Sequence, residues 1–564
     1  MTLPDAVFRD VLARQEDASR RGGSCSSTPA RARDPRLARV PDLRPDTVRW
    51  FPDADAFARL HRVGVSIPVI LEFVDPGWDP LHLVAALPAH ETVYLLETPG
   101  APADLERRTF MAWQPDCEVL LRGNHLESRG AAAPVLRQRG RHPLQMFRAF
   151  LVAEGALSVP YSDGFGGGFV GYVSYDFKNF LERLPDRVTD DLGTPELRLG
   201  FVRRVVSWDH RSGRVCLRVN LRCQSTRARC DRARALDALA ALLDEVAGLA
   251  RRAPRAEPGR VAAARAPLHS NLSRASYDRM LARAHDYILA GDIYQANLSH
   301  RFEVPFSGSG LELYRHLRAI NPSPFAAYMR FPEHEVVSCS PERLVRLQRG
   351  RVETRPIAGT RPRGASGRND RALERELLAS EKERAEHLMI VDMARNDIGR
   401  VCELGSVQVE SFMSVERYSH VRHLVSNVTG RLGTGRDGLH LLAATFPGAS
   451  VTGVPKVRCM QIIDELESVR RGVYTGSAGY LGLDGNMDFN ILIRTFFLQN
   501  GRAWFHVGGG IVADSDPDFE YQETLAKGRA LREALLAVGG ATPAPGRGGS
   551  HPQVIGERTG RATR

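Results

Sequence analysis

The chain has eight cysteines, at 25, 117, 216, 223, 230, 339, 402 and 459, and no two of them are spaced as CxxC. Cys223 and Cys230 lie seven apart in an Arg-rich stretch with no second pair, which argues against a zinc site. No run of about 18 uninterrupted apolar residues occurs, so no membrane-spanning helix is expected. The opening MTLPDAVFRDVLARQEDASRR has early acids and no apolar core, which argues against a secretory signal. Scattered thiols without such a signal predict a reducing, cytoplasmic setting. A dinucleotide GxGxxG after a first strand is missing. FPGASVTGVPK (446–456) is no phosphate loop either, because Pro455 stands where the second glycine would be and no Ser or Thr follows Lys456. A G-x-C-x-G elbow surrounds none of the cysteines. Glutamine hydrolysis by this chain itself is therefore not expected.

A net charge of +11 invites thought of nucleic acid. The excess sits entirely in residues 14–39, 251–265 and 540–564, which are rich in Pro, Gly, Ala or Ser and lack periodicity. No aromatic-interleaved basic groove accompanies them, so no nucleic-acid partner is expected.

What is present is a large globular chain of 564 residues, 43% hydrophobic and 25% charged. Residues 1–44 read as a disordered basic extension and 539–564 as a disordered tail. Region 45–248 alternates short apolar runs with turns (SIPVILEFV, ETVYLLET, CEVLLRG, GFVGYVSYDF, RRVVSWDH, RVCLRVNLRC), read as strands, with helices such as HPLQMFRAFLVAEGAL between them. A linker follows at 249–270. Region 271–538 begins with a helix capped by Ser276 and Gly291 and contains a long helical stretch, RALERELLASEKERAEHLMIVDMARND. Its last helix is DPDFEYQETLAKGRALREALLAV, preceded by consecutive hairpin strands through GSAGYLGLDG, MDFNILIRTFFLQNG and RAWFHVGGGIV. The fold class is α+β with large antiparallel sheets flanked by helices.

Two acidic repeats carry the first chemical signal, Glu383-x-x-Glu386 and Glu520-x-x-Glu523. Residues three apart share a helix face, so each pair aims two carboxylates one way. Facing each other, the pairs offer hard oxygens to Mg²⁺, some through water. Solvated helix faces are the plain alternative. RPIAGTRPRG (355–364) offers backbone amides around Gly359 and the Thr360 hydroxyl to an anion, or is a surface turn. Gly508, Gly509 and Gly510 allow a ligand to approach the backbone closely, or mark a β-bulge. Arg494, in the apolar strand FNILIRTFF, needs an anion partner, either a substrate carboxylate or a structural acid. His423 is a core or a catalytic histidine. With Lys527, the set suits a small substrate bearing more than one carboxylate.

The motifs GDIYQANLSHRF, SPERLVR, RPIAGTRPRG, EKERAEHLMIVDMARNDIGR, VRHLVSNVTG, FPGASVTGVPK, GSAGYLGLDGNMDFNILIRT and GGGIVADSDPDFEYQETLAKGRAL occur in this order. That series resembles the chorismate-utilising enzymes, component I of anthranilate synthase and of aminodeoxychorismate synthase. YLLET, GGGFVGYVSYD and ERLP in the first half fit as well. The resemblance implies an anthranilate-synthase-like α/β sandwich and Mg²⁺-dependent chemistry on chorismate. It implies Glu383, Glu386, Glu520 and Glu523 around the metal and Glu342 as general acid/base. His423 would lie near the departing hydroxyl, and Tyr474 and Arg494 would hold the enolpyruvyl carboxylate. Thr360, Gly359, Gly509, Gly510 and Lys527 would touch substrate, and Leu95, Leu96, Glu97 and Thr98 would belong to a tryptophan site. It also implies ammonia from a separate glutaminase subunit.

Between the two aminases the motifs divide. GGGIVADSDPDFEYQET, VSYDFKNFLERLP and MDFN resemble aminodeoxychorismate synthases, the favoured reading, in which the amine enters at ring C4. Ala358 stands where many of those enzymes carry a nucleophilic lysine, and alanine there resembles anthranilate synthase. A catalytically dead binding protein on the same fold is the remaining alternative.

Overall fold

The computed structural model describes residues 48–538 apart from 102–104, 124, 131–141, 155–163, 253–267, 363–366 and 418–420. The expected basic extension and tail, and most of the expected linker, lie outside the described residues. Two large sheets dominate. The first has 13 strands in the order Arg49–Phe51, Ser66–Val74, Arg214–Arg222, Arg204–Asp209, Arg108–Trp113, Val93–Glu97, Phe325–Arg330, His334–Ser340, Thr495–Gln499, Arg502–Ile511, Gln295–Pro305 and His269–Ser270. The short Gly453–Val454 pairs with Gln295–Pro305 off this path. The second has 11 strands, in the order Ile357–Pro362, Val421–Arg431, Arg351–Thr354, Arg343–Gln348, Met487–Asn490, Ser477–Gly482, Gly168–Val173, Leu197–Val202, Cys117–Arg122 and His125–Gly130, with Gln408–Arg417 on the side of Val421–Arg431. Both sheets draw strands from each half of the chain, so regions 45–248 and 271–538 interleave in one body.

Strand alternation explains the layering, since successive side chains point to opposite faces. In the first sheet Met329, Val336 and Phe497 face a core shared with Val170 and Tyr480 of the second sheet. Their chain neighbours Tyr328, Val337 and Phe496 face outward into a second core, closed by helices Ala228–Arg252, Gly310–Ile320 and Arg529–Ala537. Phe169 and Leu481 of the second sheet likewise face helices Pro143–Ala153, Glu381–Gly399 and Gly438–Thr445. Truncating a buried ring such as Phe331 between the sheets would remove about 3–5 kcal/mol.

Several expected boundaries shift. The helix expected to start at Ser276 spans Arg274–Leu289, capped by the Ser273 hydroxyl on the Ser276 amide. The long acidic stretch is two helices, Gly367–Ala379 and Glu381–Gly399, divided where Ser380 caps the second. The last helix also breaks, at Gly528, into Pro517–Lys527 and Arg529–Ala537. Among the described residues, no helix is long and apolar enough to cross a membrane.

Candidate active site

The site forms where the chain changes sheets. After Ser340 it leaves the first sheet, passes through Glu342 and enters the second at Arg343. It returns between Asn490 and Thr495. The two crossings clasp each other. Ser340 Oγ donates to the Ile491 carbonyl at 2.5 Å, the Ile491 amide to the Glu342 carbonyl at 3.0 Å, and the Cys339 amide to the Arg494 carbonyl at 3.2 Å. Arg494, expected inside a strand, lies on the returning crossing with φ of +52°. A side chain other than glycine is held there only by its surroundings. Thr475, whose amide bonds the Leu492 carbonyl at 2.8 Å, is held likewise at φ +59°.

Glu342 is buried and accepts one hydrogen bond on Oε1, from Ser450 Oγ at 2.7 Å. Burial raises its pKa from 4.5 to about 7, with Ser450 and the Arg494 charge opposing the rise. A carboxyl so placed can give or take a proton near neutrality. His423 faces Thr360 across neighbouring strands. Burial, then the Arg494 charge, drives its pKa down to about 3, while a hydrogen bond with the Gly359 backbone opposes that, so the ring is neutral. Gly359 takes φ of +72° at a break in the strand register, and a Cβ there would lie 2.9 Å from Glu383 Oε2. RPIAGTRP is thus a bulged strand against the acidic helix, not a surface turn.

Tyr474 is buried and stacks on His506, with ring centres 4.9 Å apart. The Arg471 guanidinium lies 5.8 Å from its ring centre, and Glu467 grips that guanidinium with bonds of 2.9 and 2.7 Å. Arg494 Nη1 reaches Asn321 Oδ1 at 3.4 Å. Gly508 to Gly510 run in an unbroken ladder with Gln295–Pro305, so they are no bulge. They serve close approach: a Cβ on Gly508 would meet Tyr474 Oη at 2.8 Å, and one on Gly510 would meet Gln295 Nε2 at 2.2 Å.

The two acidic pairs flank this wall from helices Glu381–Gly399 and Pro517–Lys527. Glu386 Oε1 accepts from Gln295 at 3.1 Å, Glu520 Oε1 from Ser515 at 2.7 Å, and Glu523 pairs with Lys527 at 2.8 Å. Lys527 also donates to the Gly508 carbonyl at 3.2 Å. The carboxyl of Glu386 is raised by burial and by the charges of Glu383 and Glu523, and that of Glu520 by burial and by Glu523, so the pairs feel each other across the cleft. Glu520 Oε2 is buried with no hydrogen-bond partner. A buried carboxylate oxygen without a hydrogen-bond donor, among mutually repelling acids, fits a hard divalent cation. No three of these oxygens lie within 4.8 Å of one another. The one such donor set among the described residues is His61, Cys223 and Asp231, remote in sequence from these motifs. There Asp231 is already filled by His61 at 2.9 Å, the Gln224 and Ser225 amides and Arg234, which makes it a structural knot.

The YLLET segment divides between two faces. Leu95 and Glu97 point to the outer core, where Glu97 takes the Tyr314 hydroxyl at 2.7 Å and Arg318 at 3.1 Å. Leu96 packs toward the inter-sheet core. Thr98 lines a cavity, together with Phe110, Phe325, Arg343, Tyr480 and Asp488. Sequence reasoning missed those partners, and also Ser450, Gln295, Asn321 and Ser515. Ser450 lay within FPGASVTGVPK, a run rejected as a phosphate loop and counted toward the family resemblance without a role for its serine.

The model of the family described as chorismate binding enzyme matches residues 92–533. The chain belongs to that family. Among chorismate binding enzymes, it is 44% identical over 387 residues to anthranilate synthase component 1 of Aquifex aeolicus, covering 67% of this chain and 76% of that one. It is 40% identical over 492 residues to the Streptomyces coelicolor protein of the same name, covering 86% and 91%. The crystal structure of anthranilate synthase component I from Streptococcus pneumoniae superposes with a TM-score of 0.66 at 33% identity, covering 76% of this chain and 93% of that one. The menaquinone-specific isochorismate synthase of Escherichia coli, at 18% identity and a TM-score of 0.60 over 86% of this chain and 98% of that one, shares the fold. The relatives named here favour the second of the two aminases, not the aminodeoxychorismate synthase that the motifs first suggested.

Proposed function

We propose that the protein is the chorismate-aminating component of an anthranilate synthase. It converts chorismate and ammonia to anthranilate, pyruvate and water, with ammonia supplied by a separate glutaminase subunit. The observation that carries the choice is Ala358, a buried methyl in the strand of Gly359 and Thr360. An amine nucleophile there would be needed for a covalent route. The names of the relatives point the same way.

In this reading Arg494 and Tyr474 orient the enolpyruvyl carboxylate, and the backbone of Gly509 and Gly510, with Thr360 and Lys527, positions the rest. Glu342 donates its proton to the departing 4-hydroxyl, which leaves as water while ammonia bonds to ring C2. Neutral His423 steadies the hydroxyl without adding charge beside Arg494. In the second stage the C2 proton and the enolpyruvyl group are lost, giving anthranilate and, with a proton on the former methylene carbon, pyruvate. Glu383, Glu386, Glu520 and Glu523 would hold Mg²⁺, which when bound supplies charge for the ring carboxylate. The cavity beside Thr98, walled by Phe110, Phe325 and Tyr480 and edged by the Arg343–Asp488 pair, suits tryptophan as an aromatic zwitterion.

The test is to incubate the chain with chorismate, Mg²⁺ and ammonium and identify the product. Fluorescent anthranilate with equimolar pyruvate supports the reading. A product that yields 4-aminobenzoate only after a separate lyase is added supports aminodeoxychorismate synthase, which the run GGGIVADSDPDFEYQET favours. Glutamine hydrolysis by the pure chain would refute the need for a partner subunit.

A further inference from the structure

We propose that Asp397 is a positioning residue for the proton chemistry of Glu342, acting through water held in a cavity behind that carboxyl. The inference rests on the chorismate-aminating reading above. This second cavity shares Glu342 and Ser450 with the active site and is otherwise bounded by Thr354, Ala394, Asp397 and Thr445, among others. It offers about 30 Å³ to the centres of water-sized molecules. A single water needs roughly 10–15 Å³ on that measure, so two waters fit. Its two carboxyl groups are Glu342 and Asp397.

Asp397 is set in place from the far side. Lys456 donates to Asp397 Oδ2 at 2.7 Å and to the Thr445 carbonyl at 3.1 Å. The lysine that a phosphate loop would have turned toward a nucleotide instead braces an acid on the neighbouring helix, Glu381–Gly399. Burial raises the Asp397 carboxyl, and Lys456 with Arg400 opposes it. Glu342 in turn faces Ser450 and Arg494. Arg343, which also borders the cavity, is engaged by Asp488 and Glu353. Apolar Ile390, Ile398 and Ile491 form much of the remaining wall, so a water there takes its orientation from the carboxyl groups.

The reaction needs such a path. Glu342 gives one proton to the leaving hydroxyl, which becomes water. The nitrogen that has bonded to C2 sheds one proton. That proton leaves to solvent, and with substrate covering the front of Glu342 the rear waters pass an equivalent solvent proton to the carboxylate before the next turnover, so protons balance over the cycle. Asp397, ion-paired with Lys456 at 2.7 Å, orients the waters as donors toward its own oxygens.

Two variants of the full chain test this in the ammonium-driven assay with Mg²⁺, across pH 6 to 9. Asp397→Asn removes the orienting charge. Ala394→Leu fills the cavity and leaves the Asp397–Lys456 pair intact. Both should lower kcat about tenfold with KM for chorismate within about twofold of wild type, and both should enlarge the solvent deuterium effect and displace the pH limb set by Glu342. Folded variants with the wild-type kcat, pH limb and isotope effect would overturn the inference, as would a change confined to KM. If Asp397→Asn melts below the assay temperature, Ala394→Leu decides alone. Failure of the wild-type chain to aminate chorismate would defeat the functional reading and this inference with it, and is seen before any variant is compared.

Discussion

Glu342 and the two acidic pairs belong to one candidate site, yet their surroundings differ in kind. Glu342 stands on an irregular crossing, buried, with one hydroxyl donor and the opposing charge of Arg494. The pairs sit on regular helices, partly open, crowded by like charge and by Lys527. Burial that outweighs one opposing cation leaves an acid that holds its proton to neutrality. Crowding with an unfilled oxygen leaves acids that call for a positive ion. The same functional group is thus tuned to two tasks by enclosure in one case and by company in the other.

The widest separation of the two should come from Glu342→Gln. Loss of the donor is expected to lower kcat by about 10²–10⁴-fold with chorismate affinity nearly unchanged, read by turnover and by direct binding. Glu386→Gln should act differently, weakening Mg²⁺ by at least about tenfold, with activity partly restored by excess metal. If metal titration leaves that variant and wild type alike, the contrast fails.

A pH series sharpens it further. At constant free ammonia, activity should fall as pH rises through about 7, where Glu342 loses its proton. Ser450 donates to the ionised form, so Ser450→Ala should move that limb to higher pH. Stability follows the same sign. The folded chain keeps a proton that the unfolded chain releases near 4.5, so the advantage of wild type over Glu342→Gln is full below that value and is lost as pH rises through about 7. A shift of this size corresponds to roughly 3 kcal/mol, measurable as a pH-dependent difference in Tm. The smallest effect is expected at Gly509→Ala, whose Cβ would sit an ordinary 3.4 Å from Glu520 Oε2. A change within about 0.5 kcal/mol is expected there, against clear loss of activity for Gly510→Ala.

Much of this contrast was legible in the chain. The acidic pairs announce themselves by helical spacing, and the strands by alternation. Glu342 did not: a lone Glu after Ser-Pro has no periodic signature, and only family resemblance picked it out. Arg494 reads as strand because its neighbours are apolar on both sides, and they are apolar because the crossing is buried between two sheets. Spacing cannot reveal a change of sheet. The breaks at Ser380 and Gly528 were missed because continuous helical periodicity hid a cap and a glycine. YLLET reads as one unit, but alternation sends Glu97 outward to Tyr314 and leaves Thr98 at the cavity.

Between the two clasped crossings the chain makes an excursion of some hundred and fifty residues, from Arg343 to Asn490, whose ends meet at the Ile491–Glu342 hydrogen bond. Loops along that excursion can lengthen or drift without moving its base. Evolution is therefore free to redecorate the rim of the cleft while the proton donor and the carboxylate-binding arginine stay in register, anchored at a single seam.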